Sequence, residues 1–226
     1  MSTVLRGSMK EEFNLFLSSI CAGIAISIGG TVLLSVADRV IGSLLFTFGL
    51  CTIVINGFAL FTGQVGYLVV QENKRKYLLR LSIVWIGNLI GTILSGLAIR
   101  QTRISGIAEV AREICAVKLS DEMVSTFILA TFCGMIMYVA VDGYKERKTF
   151  VILFLCVAVF ILCGFEHCIA NMYFFTIAGA WSLKTVGYLL IMTIGNSVGG
   201  MILPLLKSKI FKNEDSYEKD RRVHKY

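Results

Sequence analysis

Charged residues are absent from six stretches of the chain, 13–37, 40–71, 81–99, 123–141, 149–165 and 185–206, and crowd into the segments between them. A helical crossing of a bilayer takes roughly 17 to 25 apolar residues, so the pattern predicts an all-α membrane protein with six transmembrane helices. Little mass is left outside: a tail over 1–12, a six-span domain over 13–206 and a basic tail over 207–226. Within the domain, halves of about 13–99 and 123–206 are joined by an outer segment, 100–122, most of which reads as a short amphipathic helix. The first run is too long for a cleavable signal peptide, follows Glu11 and Glu12, and lacks a small-residue cleavage site.

The two halves repeat. Ile86-Gly87-Asn88-Leu89-Ile90-Gly91 in the third run returns 108 residues later as Ile194-Gly195-Asn196-Ser197-Val198-Gly199 in the sixth. Three spans per half turn the halves opposite ways, which predicts an inverted repeat about an axis in the membrane plane, with solute sites near the midplane. The second span of each half is interrupted at a corresponding place. The run 40–71 is longer than one straight crossing needs and contains Gly57-Phe58-Ala59-Leu60-Phe61-Thr62-Gly63-Gln64. The fifth contains Gly164-Phe165-Glu166-His167-Cys168-Ile169-Ala170-Asn171 and then continues apolar to Leu183. Glycines with polar groups predict broken second and fifth helices, which membrane depth tolerates only where protein or a watered cavity satisfies the freed backbone groups. Thr62 and His167, 105 residues apart, are expected to face one another across the axis.

Composition adds orientation. Sixteen Lys and Arg fall on the side of the two tails and of segments 72–80 and 142–148, against six on the other side, so the positive-inside bias predicts cytoplasmic termini. The net charge of +7 is explained this way, with contact between the basic C-terminal tail and anionic lipid as a secondary role. No nucleic-acid recognition motif accompanies it. The seven cysteines lie mostly in apolar runs, without CxxC pairs or metal-ligand spacing, and read as small buried hydrophobes. No metal or cofactor is expected.

The ionisable pair Glu166-His167 inside a membrane segment defaults to a functional reading, because such groups are costly there. The structural alternatives are a histidine satisfied by a neighbouring helix and a carboxylate bonding amides at the break. Asn88 and Asn196, with their glycines, read either as site residues or as small-residue helix packing with a buried amide as glue. Lys118, just before the fourth span, is otherwise a solvated lysine.

With these residues on the page, the chain resembles the formate/nitrite transporter family, which moves small monovalent anions such as formate, nitrite and hydrosulfide. Gly164-Phe165-Glu166-His167-Cys168-Ile169-Ala170-Asn171-Met172-Tyr173 resembles the family's fifth-span signature, Leu60-Phe61-Thr62-Gly63 its second-span break, Gly195-Asn196 with Gly199-Gly200 its sixth-span motif, and Ala22 to Gly30 its first span. The likeness implies an aquaporin-like inverted-repeat protomer in a homopentamer with a pore in each protomer, set in a prokaryotic plasma or inner membrane. The two Asn-Pro-Ala motifs of a true aquaporin are absent. It further implies that His167 is a central histidine between two constrictions, formed at Leu50 and Phe160, with Thr62, Lys118, Glu166, Asn171 and Asn196 along the substrate path. Gly57, Gly63, Gly164, Asn88 and Gly195 fall at break and packing positions. Three positions depart from the family pattern: Ala59 stands where relatives carry an acidic residue, Gln64 where asparagine, serine or threonine is usual, and Gly134 where asparagine is common.

The implied mechanism is protonation. A bare anion is strongly disfavoured in an apolar constriction and its conjugate acid is not. Lys118 would concentrate the anion, and His167, reached through Thr62 and water, would donate or relay the proton. An electrogenic channel with a cationic His167 is the second mechanism. A neutral-solute channel, a membrane enzyme using Glu166 and His167, and a structural or sensory scaffold remain alternatives. For the enzyme no nucleophile, metal cluster or nucleotide motif joins the pair.

Overall fold

In a bilayer every backbone N–H and C=O must find a partner within the protein, and this chain meets the demand with helices. The computed structural model describes the backbone of residues 2–223 and the side chains of residues 9–210. The order is α1 (Ser2–Ser35), α2 (Arg39–Asn56), α3 (Phe61–Gln64) running into a 3-10 segment (Val65–Val70), α4 (Lys74–Arg100), α5 (Ile107–Ser120), α6 (Met123–Arg147), α7 (Val151–Leu162), α8 (Cys168–Ala178) and α9 (Leu183–Val223). No strand occurs among the described residues.

Five helices among the described residues are long and apolar enough to cross a membrane: Met9–Ser35 of α1, α2, α4, α6 and Leu183–Ile210 of α9. Three further apolar helical stretches, Phe61–Val70, Val151–Leu162 and Cys168–Ala178, are shorter. The difference from six uninterrupted runs arises at 57–60 and 163–167, where the backbone leaves the helix. The segments 1–12 and 207–226, expected as tails, are helical where described. α1 begins at Ser2 and α9 continues to Val223 past Pro204, because Lys, Arg and Glu are good helix formers and a helix leaving the bilayer has no reason to stop. The side chains of the basic segment beyond residue 210 lie outside the described residues, so its proposed lipid contact does too.

α1 packs against α4, and α6 against α9, through glycines. A Cβ on Gly91 would lie 2.3 Å from the Ile20 carbonyl oxygen, and one on Gly199 would lie 1.8 Å from that of Thr131. Gly134 meets the Asn196 carbonyl oxygen at 2.2 Å in the same way, so with α9 this close no side chain fits at 134. That is a physical reason for one departure from the family pattern. The outward faces stay apolar, with Leu44 and Phe48 on α2 and Leu94 and Leu97 on α4 exposed. α8 is different: every residue from Cys168 to Ala178 is buried, as fits a short helix enclosed by the others.

Candidate functional site

The site is built around the two interruptions, and the same local chemistry makes both. Gly57 and Gly164 adopt left-handed φ values of 68° and 70°, with nothing near enough to clash with a Cβ at either. Glycine is therefore required for conformation there and not for packing. In each case the next residue donates five residues back, Phe58 to the Ile53 carbonyl at 3.0 Å and Phe165 to that of Phe160 at 2.9 Å. The chain then turns extended through Leu60 and through His167 before helix resumes.

At each break one asparagine bonds both a freed carbonyl and a freed amide. Asn88 Nδ2 donates to the carbonyls of Ala59 (2.9 Å) and Ser19 (2.8 Å), while its Oδ1 accepts from the Phe61 amide (2.9 Å). Asn196 Nδ2 donates to the carbonyls of Glu166 (2.7 Å) and Ala130 (2.7 Å), while its Oδ1 accepts from the Cys168 amide (2.8 Å). The structure thus gives these asparagines a duty beyond helix glue. Gly195, whose Cβ would lie 2.6 Å from that of Ala130, lets α9 approach closely enough for its neighbour to reach. Gly63 packs more loosely, with 3.2 Å to Val141 Cγ2. Replacing Asn196 by Ala leaves the Glu166 carbonyl and the Cys168 amide without their partner, each worth about 1–3 kcal/mol when unsatisfied, while the Ala130 carbonyl keeps its place in α6. Asn196→Ala, and Asn88→Ala likewise, should lower the thermal unfolding midpoint of the detergent-solubilised protein by several degrees. A midpoint within one degree of wild type would mean that water satisfies the breaks instead.

The breaks bring Thr62 and His167 together. Thr62 Oγ1 and His167 Nε2 are 2.8 Å apart, and the two residues are 1% and 2% exposed. His167 is also the N-cap of α8: its Nδ1 accepts the Ala170 amide at 3.1 Å. A nitrogen that accepts carries no proton, so the neutral ring is protonated at Nε2 and donates to Thr62. Phe160 stacks on the ring with centroids 5.7 Å apart, and Phe46 meets Phe160 edge-on at 5.9 Å.

A cavity of about 440 Å³ opens onto this layer from one end and is lined by Lys118, Glu166, His167, Phe160, Phe46, Arg39 and Asn171 among others. Glu166 Oε2 accepts from Lys118 Nζ at 2.5 Å and from Asn171 Nδ2 at 2.7 Å. Asn171 Oδ1 is buried without a partner. From the opposite end a cavity of about 260 Å³ is lined by Ile53, Leu60, Gly57, Gly63, Gln64, Tyr144, Lys145 and Lys148 among others. Leu50 lines neither cavity and is 1% exposed.

An offset of 107 residues carries Gly57 to Gly164, Ile53 to Phe160, Leu60 to His167 and Gln64 to Asn171. By that register His167 and Thr62 touch without being repeat mates, and Ile53 is the mate of Phe160. Sequence reasoning left out Ile53, Phe46, Lys145 and Lys148, and placed Leu60 in the break motif without giving it a place on the path. Applying the offset of the two glycines would have found Ile53 and placed Leu60; Phe46 and the two lysines carry no sequence signal beyond apolarity and a position near a span end. Among the described residues no cluster of His, Cys, Asp and Glu could hold a metal ion.

The chain is similar to several characterised proteins. It is 27% identical to the formate channel FocB of Escherichia coli (strain K12), over 86% of this chain and 85% of that protein. It is 24% identical to the nitrite transporter NirC of Salmonella typhimurium, over 88% and 83%. Among solved structures, a pentameric formate channel with formate bound superposes with a TM-score of 0.79 at 28% identity, covering 90% of this chain and 98% of that one. An ion channel of the same family superposes with a TM-score of 0.75 at 23% identity, covering 88% and 90%, a likeness of fold. Residues 6–208 match the formate/nitrite transporter family, and this integral membrane protein of apolar helices, with a buried histidine lining one of the cavities at its two helix breaks, belongs to that family.

Proposed function

We propose that this channel passes small monovalent anions of the formate or nitrite class, protonating them near His167, as one protomer of a homopentamer. The observation that carries the reading is the Thr62–His167 hydrogen bond at the floor of a cavity whose charged groups are Lys118, Glu166 and Arg39. The bound formate and pentameric state of the structural relative favour the same substrate class and assembly. The six-span arrangement is part of the proposal: α1, α2 with α3, α4, then α6, α7 with α8, and α9, as an inverted repeat of three and three. The domain limits and tails follow it, and the basic end of the molecule faces the cytoplasm of a prokaryotic cell.

The chemistry runs from charge to neutrality. Lys118 raises the local anion concentration in its cavity, although the same field opposes protonation. Loss of water against Phe160 and the layer beneath it disfavours the charged form. His167 then relays a proton: one accepted at Nδ1 opens the bond from Ala170, and the Nε2 proton leaves through Thr62 to the anion, which crosses as the neutral acid. Thr62, Asn171 and Glu166 position this exchange. If His167 instead holds its proton and binds the bare anion, transport carries current.

Purified protein in vesicles, offered formate, nitrite, hydrosulfide, lactate and glycerol at two pH values, tests the reading. Formate and nitrite should move faster than glycerol, faster still at the lower pH, and with proton uptake. Glycerol flux equal to theirs and insensitive to pH would replace the proposal by a neutral-solute channel.

A further inference from the structure

The two cavities share repeat-related lining residues but differ in charge. Phe160, Gly164, His167 and Asn171 of the first correspond at the 107-residue offset to Ile53, Gly57, Leu60 and Gln64 of the second, whereas the mate of Glu166 is the uncharged Ala59. The Lys118 cavity carries Lys118 and Arg39 against Glu166, with the lysine and carboxylate 2.5 Å apart and nearly enclosed. The other cavity carries Lys145 and Lys148 and no acidic residue in its lining. Neither lysine has a carboxylate within 4.0 Å among the described residues, and the nearby Asp142 and Glu146 are engaged by Lys207, with Asp142 also accepting from Tyr67.

Both ammonium groups are held by ring faces. Lys145 Nζ lies 4.2 Å from the Tyr67 ring centroid and Lys148 Nζ 5.7 Å from that of Tyr144, contacts that attract a cation without neutralising it. Lys148 also has φ 54°, the one non-glycine residue among those described with positive φ. A side chain is kept there at a conformational cost that glycine would avoid. Below them, the Oε1 of Gln64 is buried without a partner, and its amide group supplies polar lining where the mate in the other cavity is Asn171.

From this we infer that Lys145 and Lys148 form an anion-loading site at the end of the path opposite Lys118, making entry from that end the higher-affinity direction. The inference rests on the proposed anion transport and adds a sidedness to it. A passive path with a more positive mouth at one end saturates at lower anion concentration when loaded from that end, while net direction still follows the gradient. The lysines act on capture, so maximal flux should change little.

The test uses formate uptake by the full-length protein in vesicles sorted by orientation with a tag fused after residue 226. In Lys145→Met/Lys148→Met at low ionic strength, the half-saturating formate concentration from the Lys145 end should rise about threefold or more, with little change from the Lys118 end. Lys145→Arg/Lys148→Arg should restore it, and Lys118→Met should affect the opposite end. Vesicles of neutral lipid separate loading of the free anion from attraction to anionic headgroups: an effect seen only with anionic lipid overturns the site. So does an unchanged or two-sided response in a protein that still carries formate. A wild-type chain that carries no anion at all overturns the transport reading and this one together.

Discussion

His167→Asn should abolish proton coupling while leaving a folded protein, with proton-coupled formate flux falling on the order of tenfold to a hundredfold. The choice of asparagine follows from the two duties of the ring. Its Nδ1 caps α8 by accepting the Ala170 amide at 3.1 Å, and its Nε2 faces Thr62 at 2.8 Å. Asparagine is among the best N-cap residues, so its Oδ1 can keep the bond to Ala170 and α8 can start where it does. What asparagine lacks is a ring nitrogen that can take and return a proton. The variant therefore separates the cap from the relay, which alanine or leucine would not. Internal pH and radiolabelled formate followed together give the ratio of protons to anions. Unchanged uptake with unchanged proton coupling would remove the relay, and current-carrying transport in the wild type would favour the channel with a cationic histidine.

The hydropathy pattern located the apolar runs, and Gly57 and Gly164 marked where helix would stop, because a left-handed residue at a helix end has a glycine signature. Asn88 and Asn196 were legible as a repeated pair but not as the partners of both breaks, since those contacts join residues 27 to 30 positions away on other helices. Lys118 and Glu166 lie 48 residues apart on separate elements, so only the family likeness brought them into one list. The break before α3 was legible from Gly57 to Gln64, but the shortness of α3 and its passage into a 3-10 segment were not, because Val65–Val70 is as apolar as a crossing. The charge contrast between the cavities needed both the repeat register and the structure, because Lys145 and Lys148 read from sequence as ordinary positive-inside residues.

The largest effect on stability should come from Gly199→Ala, which is expected to prevent recovery of folded protein. The new Cβ would stand 1.8 Å from the Thr131 carbonyl oxygen, 2.7 Å from its carbon and 3.0 Å from the Met135 amide nitrogen. All three are backbone atoms of α6, so no rotamer change relieves the clash and the helices must part. Overpacking that moves only side chains costs about 1–3 kcal/mol; here parting α6 from α9 also draws Asn196 away from the Ala130 carbonyl it bonds at 2.7 Å, which loosens the support of the break at His167. A control lies in the same helix. Gly187 has nothing within 4 Å of a Cβ, and alanine is favoured over glycine in a helix by about 1 kcal/mol, so Gly187→Ala should be neutral or slightly stabilising. Yield and thermal midpoint by size-exclusion chromatography in detergent compare the two. A Gly199→Ala protein as stable as Gly187→Ala would mean that α6 and α9 do not meet backbone to backbone, and the asparagine support of the fifth-span break would lose its geometric basis.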